Sequence, residues 1–452
     1  MAHSKVFRRV WQFAWPAILA NISVPLLGLV DAAVLGHLSS SEFLGGVAVG
    51  TTMLSIIFWA FGFLRMGTTG MIAQARGRRD SVAIARGLLQ SVFLAIGIGG
   101  ILLLGAPLIL SLGLPFFYAS DSVSAQADVY FTIRMLSAPA VLMNYTLIGW
   151  LLGMQKPRYS LLILLLSNIL NIVLDLLFVT VWGMATRGAA LATVIADYSS
   201  LVLGIWLVYR LLPMPVNRKL LCEAIDGRAF YRLLVVNRHL FIRTLCLLSA
   251  QAFFTSRGAQ LGDDVLAANA LLLNFLMLIS NGLDGIANAA ESLSGEALGQ
   301  RREDKFRQVL SVTGLCSLVC GVGLTLVFAL GGSTMINGLT SIPAVADNAR
   351  YYLPWLIIMP LVSVWCFWLD GIFIGAMKTR AMQNTTLLAS LCVFLPAWYF
   401  SKGLGNNGIW LTYTLFMSAR SLGLLAVCYY LSCRHKWVSA CLHHDTEVVK
   451  SS

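Results

Sequence analysis

Apolar runs long enough to cross a bilayer recur along the whole of this chain, as at 87–112, 160–182, 309–331 and 381–399. A membrane-crossing helix needs roughly 20 such residues, and in lipid every backbone polar group must find a partner within the chain. The alternation over about ten residues that marks a transmembrane β-barrel does not occur. The chain therefore reads as an all-α polytopic membrane protein. Only 12% of its 452 residues are charged, against about 25% in soluble domains. Twelve spans are predicted, at 8–36, 44–74, 87–112, 126–154, 159–182, 188–211, 235–261, 265–298, 307–333, 347–376, 381–401 and 407–432.

The net charge of +12 would suit nucleic acid if it were gathered on one surface. It falls instead in alternate loops, at Arg76, Arg78 and Arg79, at Lys156 and Arg158, at Arg301, Arg302 and Lys305, and at Lys378 and Arg380. The opposite loops hold Arg187, Arg350 and Lys402. By the positive-inside rule both termini are expected in the cytoplasm, and no nucleic-acid partner is expected. The nine cysteines all follow residue 221, mostly inside spans, without metal-ligand spacing.

The chain also repeats itself. Gly149, Gly153, Lys156 and Arg158 match Gly371, Gly375, Lys378 and Arg380 at one offset of 222, and Gly77 matches Gly299. Two six-helix units are predicted, an N-lobe over 1–212 and a C-lobe over 235–433, joined by a cytoplasmic linker at 213–234 and followed by a cytoplasmic tail at 434–452. Six is even, so the copies share one orientation, the parallel-repeat plan of secondary transporters.

Acids inside the spans carry the chemistry. A charged side chain at mid-bilayer costs about 2.5–3.5 kcal/mol on insertion scales, so it marks an ion or substrate path by default. Within NILNIVLDLLFV (168–179), Asn168, Asn171 and Asp175 share one helical face. Asp31 lies late in span 1, and Thr193 and Asp197 lie one turn apart in span 6. Carboxylates converging at low dielectric cannot all stay ionised, which suits a proton carrier. The same oxygens would also ligate Na⁺, and spacing does not choose between them. In the second half Asp284, Asn288 and Glu291 lie along one face of span 8, and Asp370 sits among aromatics in FWLDGIF. Acids beside rings suit an organic cation. Arg65, Arg134, Arg257 and Arg420 are intramembrane too, and each is available to pair with an acid.

Several long segments, among them PLLGLVDAAVLGHL (25–38), FLRMGTTGMIAQARG (63–77), GWLLGMQKPR (149–158), NILNIVLDLLFV and LDGIANAAESLSGEALG (283–299), resemble the DinF branch of the multidrug and toxic compound extrusion (MATE) transporters. The resemblance runs from about residue 8 to 432. It implies a twelve-helix transporter of two V-shaped lobes exporting cationic amphipathic compounds against H⁺ or Na⁺. Asp31 resembles the family's ion-accepting acid of span 1, Asn171 and Asp175 its span-5 Asn-x-x-x-Asp pair, and Thr193 its span-6 threonine. Asp370 resembles the span-10 acid of the NorM branch, but span 7 carries Gln251 and Arg257 in place of that branch's accompanying acid. Asp197 is an acid beyond the general pattern.

The reading is a proton-coupled antiporter in a bacterial inner membrane, exporting small organic cations as a monomer. It needs no cofactor beyond its coupling ion and is not an enzyme. The coupling site is assigned to Asp31, Asn171, Asp175, Thr193 and Asp197. A candidate second-half site comprises Asp284, Asn288, Glu291 and Asp370. Na⁺ coupling and flipping of a lipid-linked substrate are the alternatives. An excess of intramembrane acid argues against a pyrophosphate-bearing lipid, and a membrane-embedded enzyme would need a nucleophile–base pair or metal set that the spans lack.

Overall fold

The computed structural model describes residues 2–36, 41–117, 120–225, 227–340, 342–435 and 437. Among them all regular structure is helical. In order these are α1 (Ala2–Gly36), α2 (Ser41–Ala60), α3 (Phe63–Gly77), α4 (Ser81–Gly113), α5 (Asp121–Met135), α6 (Ala138–Gly153), α7 (Pro157–Asp175) and α8 (Ala185–Leu211). They continue as α9 (Arg218–Ala224), α10 (Gly227–Ala259), α11 (Asp263–Gly299), α12 (Glu303–Leu339), α13 (Pro343–Gly375), α14 (Thr379–Leu388), α15 (Leu395–Ser401) and α16 (Asn406–Cys433). With α2–α3, α5–α6 and α14–α15 taken as interrupted rods, they follow the twelve predicted spans. Nine stretches among the described residues are long and apolar enough to cross a membrane, ten with the bent α5–α6 pair. The predicted spans at 8–36 and 235–261 include side chains outside the described part of the structure, and neither enters that count.

The interruptions have local causes. Pro139 has no N–H to offer the carbonyl of Met135, and its ring crowds that carbonyl. The chain turns 51° between α5 and α6, and the Arg134 carbonyl accepts from both the N–H and the hydroxyl of Ser137, at 3.0 and 2.9 Å. Between α2 and α3 the N–H groups of Phe61 and Gly62 bond three residues back, tightening the helix at Gly62. A π-helical turn follows α7 over Leu176–Val181, and another follows α14 over Ala389–Phe394. The expected linker is more ordered than its polarity suggests. Asn217 caps α9 by accepting from the Leu220 N–H at 2.8 Å, α9 buries Leu220 and Ala224, and its Glu223 pairs with Arg86 at 2.9 Å. Trp437, in the expected tail, is buried against Phe306 and Phe373, with ring centroids 4.9 and 5.5 Å apart.

The backbone divides into two compact units, Leu19–Asn237 and Met1–Ile18 with Arg238–Ser452. The first half of α1 therefore belongs with the C-terminal helices, where Ile18 lies against Gly285 and Arg9 pairs with Glu296 at 2.6 Å.

The offset of 222 read from the sequence returns as geometry. Arg79 and Arg301 take positive φ at 58° and 56°, and Gln155 and Met377 at 58° and 55°. Gly183 and Gly405, again 222 apart, both sit in positive-φ turns. The Lys156 N–H bonds the Leu151 carbonyl, and the Lys378 N–H bonds that of Phe373. In the N-terminal unit α6 crosses α3 so closely that a Cβ on Gly149 would stand 2.5 Å from the Arg65 carbonyl oxygen. In the C-terminal unit a Cβ on Gly371 would stand 2.3 Å from that of Ala287, the equivalent contact. Gly153 over Thr69 and Gly375 over Glu291 repeat the pattern one turn on. These are two copies of a small-xxx-small crossing, in which missing side chains let two backbones touch.

Candidate functional site

The polar residues of the N-terminal unit gather where α7 meets α1 and α8. Asn171 is fully buried, and its Nδ2 donates to the Thr193 hydroxyl at 3.0 Å. That hydroxyl in turn donates to the Ala189 carbonyl at 3.0 Å. The Asn171 Oδ1 has no hydrogen-bond partner among the described residues. Asp175, one turn along the same face, is 1% exposed. One turn the other way, Asn168 donates to the Ser23 hydroxyl at 3.0 Å, tying α7 to α1. Asp31 lies further along α1, in a stretch where the side chains fall outside the described part of the structure. At the positions 222 further on, Asn171, Asp175 and Thr193 are matched by Val393, Ala397 and Leu415. One backbone plan thus carries a polar set in one copy and apolar residues in the other.

Asp197 occupies a different network. Its carboxylate pairs with Arg134 at 2.7 Å, and Arg134 also donates to the Ser137 hydroxyl at 2.6 Å. Asn144 donates to the Asp197 backbone carbonyl at 3.0 Å. The structure therefore joins Thr193 to α7 and Asp197 to the α5–α6 bend, although the two residues are one turn apart on α8.

In the C-terminal unit Asn288 and Glu291 are buried on α11 and Asp284 is partly buried. Asp370 is 6% exposed and is held by two arginines. Arg420 from α16 donates to its Oδ2 at 3.0 Å, and Arg243 from α10 donates to the same oxygen. Arg420 was among the intramembrane arginines legible in the sequence. Arg243 was missed, although a guanidinium in the apolar run LFIRTLCLL gives the same signal. The two tryptophans before Asp370 have other partners. Trp368 donates to the Thr313 hydroxyl at 2.9 Å, and Trp365 meets Trp368 edge-on at 6.0 Å. Two residues along a helix is about 200° around it, so Trp368 and Asp370 leave α13 on opposite sides. Arg257 donates to Gln260 at 2.9 Å and lies over the rings of Phe253 and Trp398, 5.1 and 5.5 Å from their centroids.

The MatE family model matches residues 16–177 and again 240–399, one match to each copy of the repeat. The chain belongs to the MatE family. This MatE chain is 41% identical to DNA damage-inducible protein F of Escherichia coli (strain K12), over 93% of its own length and 91% of that protein. It is 24% identical to a probable multidrug resistance protein NorM of Acinetobacter baylyi, over 89% of the chain and 91% of that protein. Among solved structures it is similar to an outward-facing multidrug resistance MATE family transporter of the MOP superfamily, with a TM-score of 0.84 at 20% identity, covering 95% of this chain and 96% of that one. The resemblance to DinF and the twelve-helix fold are borne out. This MatE protein is a polytopic membrane protein of a family of multidrug and toxic compound efflux transporters, not an enzyme.

Proposed function

We propose that the chain is a secondary antiporter of a bacterial inner membrane, with both termini in the cytoplasm, exporting organic cations in exchange for protons. The observation that carries this reading is the Asn171–Thr193 hydrogen bond beside buried Asp175, present in one copy of the repeat and replaced by Val393, Leu415 and Ala397 in the other. A polar set that folding does not require in the second copy is retained in the first for a task. Asp175 and Asp31 supply the titrating carboxylates, and Asn171 and Thr193 complete the polar set on α7 and α8. Asp197, already balanced by Arg134, sets the α5–α8 contact. One proton moving inward down about 100 mV supplies about 2.3 kcal/mol.

The test is reconstitution of the full chain in liposomes loaded with a fluorescent cation, with a pH gradient and a Na⁺ gradient imposed separately. Transport is expected with the pH gradient alone and is expected to be lost in Asp31→Asn and in Asp175→Asn, because an amide cannot take up and release the proton. Full gradient-driven transport in both variants sinks the assignment, and a strict Na⁺ requirement recasts the same residues as cation ligands.

A further inference from the structure

The C-terminal unit keeps a positive charge where a spanning bundle least tolerates one. α10, α13 and α16 contribute one charged side chain each to the cluster, and the count is two guanidiniums to one carboxylate. Arg243 and Arg420 are 6% and 2% exposed. Both use Nη2 on the Oδ2 of Asp370, while the Nε of each has no acceptor. The Nη1 of Arg420 finds the Met417 sulfur at 3.3 Å, a weak acceptor. The Oδ1 of Asp370 has no donor.

No rearrangement of Asp370 resolves this. A carboxylate meets one guanidinium side-on through both of its oxygens. If Oδ1 swung onto one Nε, the other would still lack an acceptor and the cluster would still carry a net charge of +1. The repeat shows that the fold does not demand this set, because Ile148 and Tyr198 stand at the positions equivalent to Asp370 and Arg420.

We propose that the Arg243–Asp370–Arg420 cluster is a receptor for an anionic group, recognised by the Nε–H donors of the two arginines that lack an acceptor. It rests on the reading above in one respect only, that the chain carries organic ions. The anion is either an acid group on the transported cation, which is then a zwitterionic amphipath, or an inorganic anion such as chloride. Arg243 and Asp370 keep 7% and 8% side-chain exposure, against 3% for Arg420.

The probes are rhodamine 110 and rhodamine 123, which share one cationic ring system and differ in a free carboxylate against its methyl ester. Binding to the purified full-length protein is read by fluorescence polarisation with no ion gradient, in chloride and in gluconate, beside thermal melting in both salts. If the acid comes from the transported molecule, wild type prefers rhodamine 110. Arg243→Gln and Arg420→Gln then each weaken that dye by about tenfold or more, the size of effect expected on cutting a buried charge-assisted pair, and move rhodamine 123 by less than about twofold. If the anion is inorganic, chloride raises the wild-type melting temperature over gluconate, and Arg420→Gln abolishes the rise. Equal binding of both dyes, with melting indifferent to chloride, overturns the proposal. These wild-type comparisons decide it even where a variant does not fold. Binding without a gradient also separates this test from proton coupling, whose failure would show only in driven transport.

Discussion

Asp370→Asn protein is expected to melt far below wild type. Asp370 is the only carboxylate within ion-pair distance of Arg243 and of Arg420 among the described residues, and all three side chains are more than nine-tenths buried. An asparagine keeps the size and one acceptor oxygen but removes the negative charge. Two guanidiniums then share one neutral amide in a low-dielectric interior, and breaking a buried pair in this way costs about 3–5 kcal/mol. Arg420→Gln is expected to cost much less, because it leaves the Arg243–Asp370 pair neutral and intact. The order matters more than the size. If Asp370 were a cation ligand with incidental arginine neighbours, removing its charge would relieve nothing and cost little. Melting of the two purified variants in one detergent settles it: equal melting temperatures for Asp370→Asn and wild type would show that the arginines are not held by this carboxylate.

The fold was legible because lipid imposes a coarse rule. A run of about 20 apolar residues has few other uses, and the glycine and basic pairs at Gly149–Arg158 and Gly371–Arg380 announced the duplication. The breaks were less legible because each depends on one or two residues. Pro139 bends α5–α6 by 51°, while Pro354 and Pro360 leave α13 continuous. Of the site, the face formed by Asn168, Asn171 and Asp175 followed from helical spacing alone. What Asp370 does was not legible, because its two partners lie 127 and 50 residues away in sequence and only tertiary structure counts them. In FWLDGIF, proximity in sequence set Trp368 beside Asp370, and the helix turned that pair apart. Asp197 followed the same course, since spacing aligned it with Thr193 and packing gave it to Arg134.

Gly371→Val protein is expected not to be recovered as a folded, monodisperse species, whereas Gly97→Ala should fold at least as well as wild type. Both glycines lie inside long helices, so backbone freedom does not separate them; the neighbouring helix does. A Cβ on Gly371 would stand 2.3 Å from the Ala287 carbonyl oxygen and 3.0 Å from its carbonyl carbon, and backbone cannot step aside as a side chain can. Valine adds two methyl groups to that clash. α13 would have to lift off α11, drawing apart the equally close contact of Gly375 with the Glu291 carbonyl and shifting Asp370, the residue before Gly371, relative to Arg243. Overpacking of a tight core costs about 1–3 kcal/mol for modest insertions and more where backbone must move. At Gly97 nothing lies within 4 Å of the added carbon, and alanine in an open helix interior is worth roughly 0.5–1 kcal/mol over glycine. Gly149→Val, meeting the Arg65 carbonyl at 2.5 Å, should fail as Gly371→Val does, because the two crossings are one crossing built twice. Size-exclusion profiles and melting curves of the three variants test both halves of the claim. A stable Gly371→Val protein would mean that α11 and α13 pack further apart than their glycines imply.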